Sequence, residues 1–447
     1  MLEEQITQWR NYLRSRQAIH AVDIAELEDH LREQIAALTD AGLSPDEAFL
    51  VAVKRLGSLD VLSREFALEH SDRLWKQMVS PADPGEPTVG VRTDAMVAVG
   101  LAVLAAVLIK VPALFGLQMN GDEGFYVRNL SLFVLPVLTG YFLWKRQAGT
   151  RALPWLGAAF VAAVVFANVY PFVDEGSTMV LTALHAPLAL WIAVGVAYAG
   201  GRWSQVAGRM DFIRFSGELF IYYALIALGG GVLMGFTFGI FEAIGIDIEP
   251  FFESWILPCG AMGGVVIASW LVEAKQSVIE NMAPVLARLF TPLFTIVLLV
   301  FLGIMLGTGR GLDVEREVLI MFDLLLVVVL GLLLYSISAR DPRSPAGPFD
   351  WLQIVLVLSA LLANGVALWA IAARITEFGF TPNRVAALGM NVILLVNLAW
   401  SAVLSVRFLR RRGALADLER WQTNYLWVYA VWAAIVVIGF PPLFRFI

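Results

Sequence analysis

Two patterns of hydrophobic and polar positions divide the chain. As far as residue 78, apolar residues recur at helical spacing among dense charges; from Asp94 onward, long apolar runs follow one another with short polar breaks. In the first region Leu2, Ile6, Trp9 and Leu13 form a helical stripe, and "DIAELEDHLREQIAALTD" carries Ile24, Leu27, Leu31, Ile35 and Leu38 on one face. Asp23 is placed to cap this second helix and Gly42 to end it. Ser44-Pro45-Asp46-Glu47 predicts the start of a third, with Phe49, Val53 and Leu56 as its apolar face. A fourth begins at Ser58 and carries Leu62, Phe66 and Trp75. Residues 1–78 are thus expected to form a small helical domain, and "VSPADPGEPTVGVRT" (79–93) a Pro/Gly linker.

Residues 94–447 predict a transmembrane helical domain. Apolar runs long enough to cross a hydrocarbon layer of about 30 Å lie near 94–117, 128–144, 152–172, 179–200, 216–243, 254–273, 288–308, 318–338, 351–373, 384–407 and 426–442. The fold class expected is all-α: about 11 transmembrane helices behind a cytosolic helical head. With the head inside, the inner loops hold fifteen basic residues, among them Lys145, Arg146 and the run "RFLRRR", against six in outer segments. The C-terminus is then outside. A re-entrant final segment, ending in "GFPPLFRFI", is the alternative, and would put it inside.

Charge sharpens this division. The first 78 residues hold nine Lys/Arg and fourteen Asp/Glu, a net of −5, which leaves −1 for the rest of the chain. An acidic head argues against nucleic acid and against docking on anionic lipid, both of which want basic patches. Cys259 is the only cysteine, so neither an intramolecular disulfide nor a thiolate metal cluster is expected. The first ninety residues lack the apolar core of a signal peptide, and the first span is expected to serve as the insertion signal.

The segments "ITQWRNYL", "DIAELEDHLREQIAAL", "GLSPDEAFLVAVKRLGS" and "LSREFALEHSDRLWKQM" together resemble the HAAS-type, or permease prefix, helical domain of bacterial membrane proteins. The resemblance implies a bacterial inner-membrane protein with a cytoplasmic interaction or signalling module. "EFGFTPNRVAALGMNVILLVNL" (377–398) is similar to the C-terminal part of the DUF4153 group of bacterial membrane proteins.

A charge at mid-membrane costs on the order of 2.5–3.5 kcal/mol on insertion scales, so each needs a reason. Lys110, His185, Glu242 and Asp323 are the charged candidates, with amides Asn168, Asn364, Asn391 and Asn397. The topology places the four charged groups in the outer half of the membrane, where they could line a cavity open to the outside; Lys110 and Asp323 could pair. The candidate polar site is Lys110, His185, Glu242, Asp323, Asn391 and Asn397. The competing reading has Lys110 and Glu242 snorkelling to the headgroups and His185 and the amides joining helices. Thr381-Pro382 predicts the start of the tenth span, where Asn383 and Arg384 could meet an anion or simply belong to a capped turn.

Small residues at four-residue steps, Ala227, Gly231, Gly235, Gly239 and Ala243, and likewise Gly260 and Gly264, predict close helix packing within the chain. A homo-oligomeric interface is the alternative. Enzyme signatures such as HExxH, GxSxG and GxxxxGK[ST] are missing, so no catalytic, cofactor or metal residue is assigned. The expected function is regulation or signalling through a protein partner of residues 1–78, in contact with membrane lipid. A permease-like transporter using the outer polar site is the alternative, and a passive scaffold a third reading.

Overall fold

A computed structural model describes residues 21–40, 48–49, 51–52, 89–119, 121–147, 152–243, 246–274, 282–308, 316–340 and 347–447. The chain forms two compact units, 1–88 and 89–447. The first and fourth predicted head helices, and residues 79–88 of the linker, lie outside the described residues.

In the first unit, α1 (Ala21–Asp40) realises the quoted pattern: Leu31, Ile35 and Leu38 are buried, while Glu28 and Arg32 pair at 3.1 Å on its surface. Ala21 and Val22 are already helical, so Asp23 lies within the helix instead of capping it. Residues 48–49 and 51–52 are helical, as the third pattern requires, but Ala48 and Ala52 are the fully buried ones and Phe49 is half-buried.

The second unit is a multi-pass bundle: α2 (Val89–Leu108), α3 (Glu123–Lys145), α4 (Leu153–Val169), α5 (Ser177–Tyr198), α6 (Val206–Ala243), α7 (Leu257–Ala274), α8 (Met282–Thr308), α9 (Arg316–Ser338), α10 (Pro348–Phe378), α11 (Pro382–Leu409) and α12 (Leu415–Leu443). These coincide one for one with the eleven predicted spans. Ten are long and apolar enough to cross a membrane. The remaining one, α4, has 17 residues and is shorter than its neighbour α3; Asn168 near its end exchanges amide hydrogen bonds of 2.8 and 2.9 Å with Asn129 near the start of α3. Helix α2 begins at Val89, so the last five residues of the expected linker 79–93 are helical.

Cross-links between helices respect an up-and-down order. At one face, Val173 and Thr178 N–H groups donate to the carbonyls of Phe446 and Ile447, and Asn383 donates to Ser177 Oγ. At the other, Arg146 at the end of α3 meets Glu273 at the end of α7, and Arg214 donates to Ser338 O at the end of α9. We call these the C-terminal face and the basic face. Helix α12 touches both, because Asn424 accepts from Arg209 at the basic face. Its 29 residues rise about 43 Å, so the final segment is not re-entrant. The short run read from the sequence missed "LADLERWQTNY", whose polar residues hide eleven residues of continuous helix.

Two apolar cores hold the bundle. One joins α2, α3, α5 and α7 around Leu138, Phe142, Phe215 and Val266; the other joins α8–α12 around Leu298, Leu326, Ala360 and Leu398. The first half of α6, with Met210, Phe212, Ile213 and Phe215 buried, is wedged between them. Beyond Phe220 the same helix turns exposed.

That exposure corrects the expectation for the glycine ladder. A methyl group added at Gly231, Gly235 or Gly260 would meet nothing, so these positions do not pack within the chain; the side of Gly239 lies outside the described residues. Only Gly264 fits the expectation, lying against the Tyr223 ring of α6. Spacing along a helix defines a smooth face but not the direction in which it points, and the bulky residues of the first half of α6 set that rotation.

Candidate functional site: a polar cluster inside the bundle

Asp323 stands in the third turn of α9. Its Oδ1 accepts a 2.8 Å hydrogen bond from Asn391 Nδ2 of α11, which also donates to Ala387 O at 2.9 Å. The Asn391 backbone carbonyl in turn accepts from Asn364 Nδ2 of α10 at 3.1 Å. Three helices thus meet at three polar side chains. Both asparagines are fully buried, and the Oδ1 of each has no hydrogen-bond partner. An apolar layer of Leu319, Phe322, Ala367 and Ile371 lies towards the C-terminal face, and one of Leu326, Ala360, Leu394 and Leu398 towards the basic face. The arrangement brings acceptor oxygens together between two apolar layers, with Asp323 itself half-buried.

Of the six candidate residues, only Asp323 and Asn391 are brought together here. Asn364, one of the intramembrane amides outside those six, is the third member. Asn397 lies two turns from Asn391 in a different network: its amide donates to Gln422 Oε1 (3.1 Å) and Tyr429 Oη (2.8 Å) and accepts from Trp421 Nε1 (2.9 Å) and Ser401 Oγ (3.1 Å). Every polar atom of that side chain is used, the mark of a joint between α11 and α12.

The other charged candidates disperse onto local partners. Lys110 Nζ donates to Ser254 O and sits 4.6 Å from the centre of the Trp255 ring, so it secures the turn before α7 and does not pair with Asp323. His185, buried, shares a 2.9 Å hydrogen bond with Leu181 O of its own helix. Glu242 belongs to the last turn of α6, and its side chain lies outside the described residues. Lys110, His185 and Asp323 lie outside the apolar cavity of the bundle. A cavity of about 630 Å³ between α4, α5 and α12 is walled by apolar residues, among them Trp155, Phe166, Ala189 and Trp427.

The capped-turn reading explains Arg384. Thr381 caps α11 by accepting from the Arg384 N–H, and the guanidinium donates to Phe378 O (3.1 Å) and Gly379 O (2.9 Å). The charge is spent on the C-terminal carbonyls of α10, and Asn383 on Ser177; the expected anion contact is replaced by these bonds.

Sequence reasoning missed the polar assembly at the basic face. Glu273, its side chain only 2% exposed, is held by Arg146 at 2.8 Å and Lys145 at 3.8 Å, and Lys145 also reaches Asp94 at 3.6 Å. Beside it a cavity of about 170 Å³ is lined by Arg146, Arg202, Asp211, Arg214 and Glu218. Its signal in the sequence was Glu273 closing an apolar run just where basic loops were expected.

No known protein family, curated protein or solved structure matches the chain.

Proposed function

We propose that this multi-pass membrane protein is regulatory: its N-terminal helical unit binds a protein partner, and the membrane unit anchors that unit and responds to the bilayer. The observation that carries the reading is the separation of the chain into two compact units, the first with its own buried residues in Leu31, Ile35, Ala48 and Ala52. Such a unit keeps an exposed face, Glu33, Ala36 and Ala37 of α1, for a partner. We assign it to the HAAS-type class, ahead of a DUF4153-like membrane region, on the helix pattern quoted above. The assigned location is a bacterial inner membrane, head in the cytoplasm and C-terminal face outside. The gathering of Arg146, Arg209, Arg214 and Arg340 on one face supports that orientation. The apolar cavity between α4, α5 and α12 suits an acyl chain of a membrane lipid.

A second reading, a permease-like transporter, is favoured by one observation, the polar cluster of half-buried Asp323 with the buried Asn364 and Asn391. Affinity purification from native membranes, comparing the full chain with one beginning at Ser80, separates the two. The regulatory reading expects specific partners that are lost with the head. Identical partner sets from both chains would refute it and turn attention to the cluster.

A further inference from the structure

We propose that Asp323, Asn391 and Asn364 form a binding site for a small monovalent cation, of which Na⁺ is the test case. This goes beyond the regulatory reading and does not depend on it.

The cluster holds unused hydrogen-bonding valence. Asn364 Oδ1 and Asn391 Oδ1 are fully buried acceptors without donors. Each such group costs about 1–3 kcal/mol unless something satisfies it. Asn391 Oδ1 belongs to the same planar amide whose nitrogen is 2.8 Å from Asp323 Oδ1, so this orphan oxygen lies beside the carboxylate. Among the described residues, Asp323 Oδ2 accepts no hydrogen bond and no basic side chain forms an ion pair with Asp323. The cluster therefore offers oxygens from one carboxylate and two amides, and hard oxygen donors are what alkali and alkaline-earth cations take.

Charge decides between these classes. A carboxylate at this depth carries one uncompensated negative charge, which is expensive away from water. One monovalent cation neutralises it; a divalent one would leave a net positive charge in the same apolar surroundings. Apolar layers with Phe322 towards one face and Leu394 towards the other surround the half-buried carboxylate, and the two asparagines behind it are fully buried. Asn391 is the organising residue, since its side-chain N–H fixes the carboxylate and its backbone carbonyl fixes Asn364.

The test is equilibrium binding of ²²Na⁺ to the purified full chain in detergent, at constant ionic strength maintained with choline chloride. Wild type is expected to bind saturably, displaced by unlabelled Na⁺ or Li⁺ and not by choline. Asp323→Asn keeps the shape and removes the charge, and should weaken binding roughly 10- to 100-fold, the equivalent of one charged contact. Gel filtration establishes that the variant is folded. If it is not, Asn364→Ser, which removes one ligand oxygen, replaces it and should also weaken binding. Wild type that binds no more ²²Na⁺ than the choline control, as expected if a water or a proton satisfies the cluster, overturns the proposal. So does a folded Asp323→Asn chain that binds like wild type.

Discussion

Replacing Asn397 by Leu is expected to lower the stability of the membrane unit by about 2–4 kcal/mol, read as a lower midpoint of thermal unfolding followed by tryptophan fluorescence in detergent. Leucine keeps the branch at Cγ and is larger than asparagine, so no cavity opens, and the loss combines the broken polar contacts with some overpacking of a fully buried site. Gln422 Oε1 and Tyr429 Oη lose the amide donor, and Trp421 Nε1 keeps only a 3.4 Å contact with Asn397 O. Gln422 is 1% exposed, so water cannot replace what it loses. Gln422 and Asn397 act in one network. A second substitution, Gln422→Leu, should therefore add much less on the Asn397→Leu background than on wild type. An Asn397→Leu chain as stable as wild type would show that the hub does not join α11 to α12.

Gly389→Ala should destabilise by about 1–3 kcal/mol, the usual cost of overpacking, whereas Gly235→Ala should be neutral or slightly stabilising. A Cβ at Gly389 would overlap the Trp432 ring of α12, which is itself wedged against Phe440. At Gly235 nothing stands within 4 Å, and alanine is the better helix former. Urea or thermal unfolding of the two variants side by side distinguishes them. Equal effects would mean that the exposed second half of α6 is packed after all, as a homo-oligomer would require.

The contrast between those two glycines shows where the sequence stopped being informative. Span positions were legible because the cost of placing a residue in hydrocarbon adds along the chain, and eleven apolar runs became eleven helices. The rotation of each helix was not legible. Gly231 and Gly235 therefore pointed away from the bundle, while Gly389, Gly195 and Gly217, none of them in a ladder, lie against Trp432, Phe212 and Tyr335. The candidate site suffered in the same way. Polarity at depth marks Asp323 and Asn391 as groups needing partners, but depth alone suggests Lys110 for Asp323. The actual partner depended on α9 and α11 both packing on α10, a contact no hydropathy profile contains. Arg384 was ambiguous for a local reason: a helix N-terminus with a nearby cation reads as an anion site until the preceding helix is seen to end within reach of its guanidinium.

The account rests most heavily on the exposed face of α1 being a partner surface. Its most direct test is a photoreactive phenylalanine analogue placed at Ala37, exposed on α1, and at Leu228, exposed on α6, with irradiation of intact cells producing the full chain. The prediction is a discrete adduct with a different protein from Ala37 and none from Leu228. An Ala37 chain that is inserted and stable yet yields no protein adduct would contradict the account.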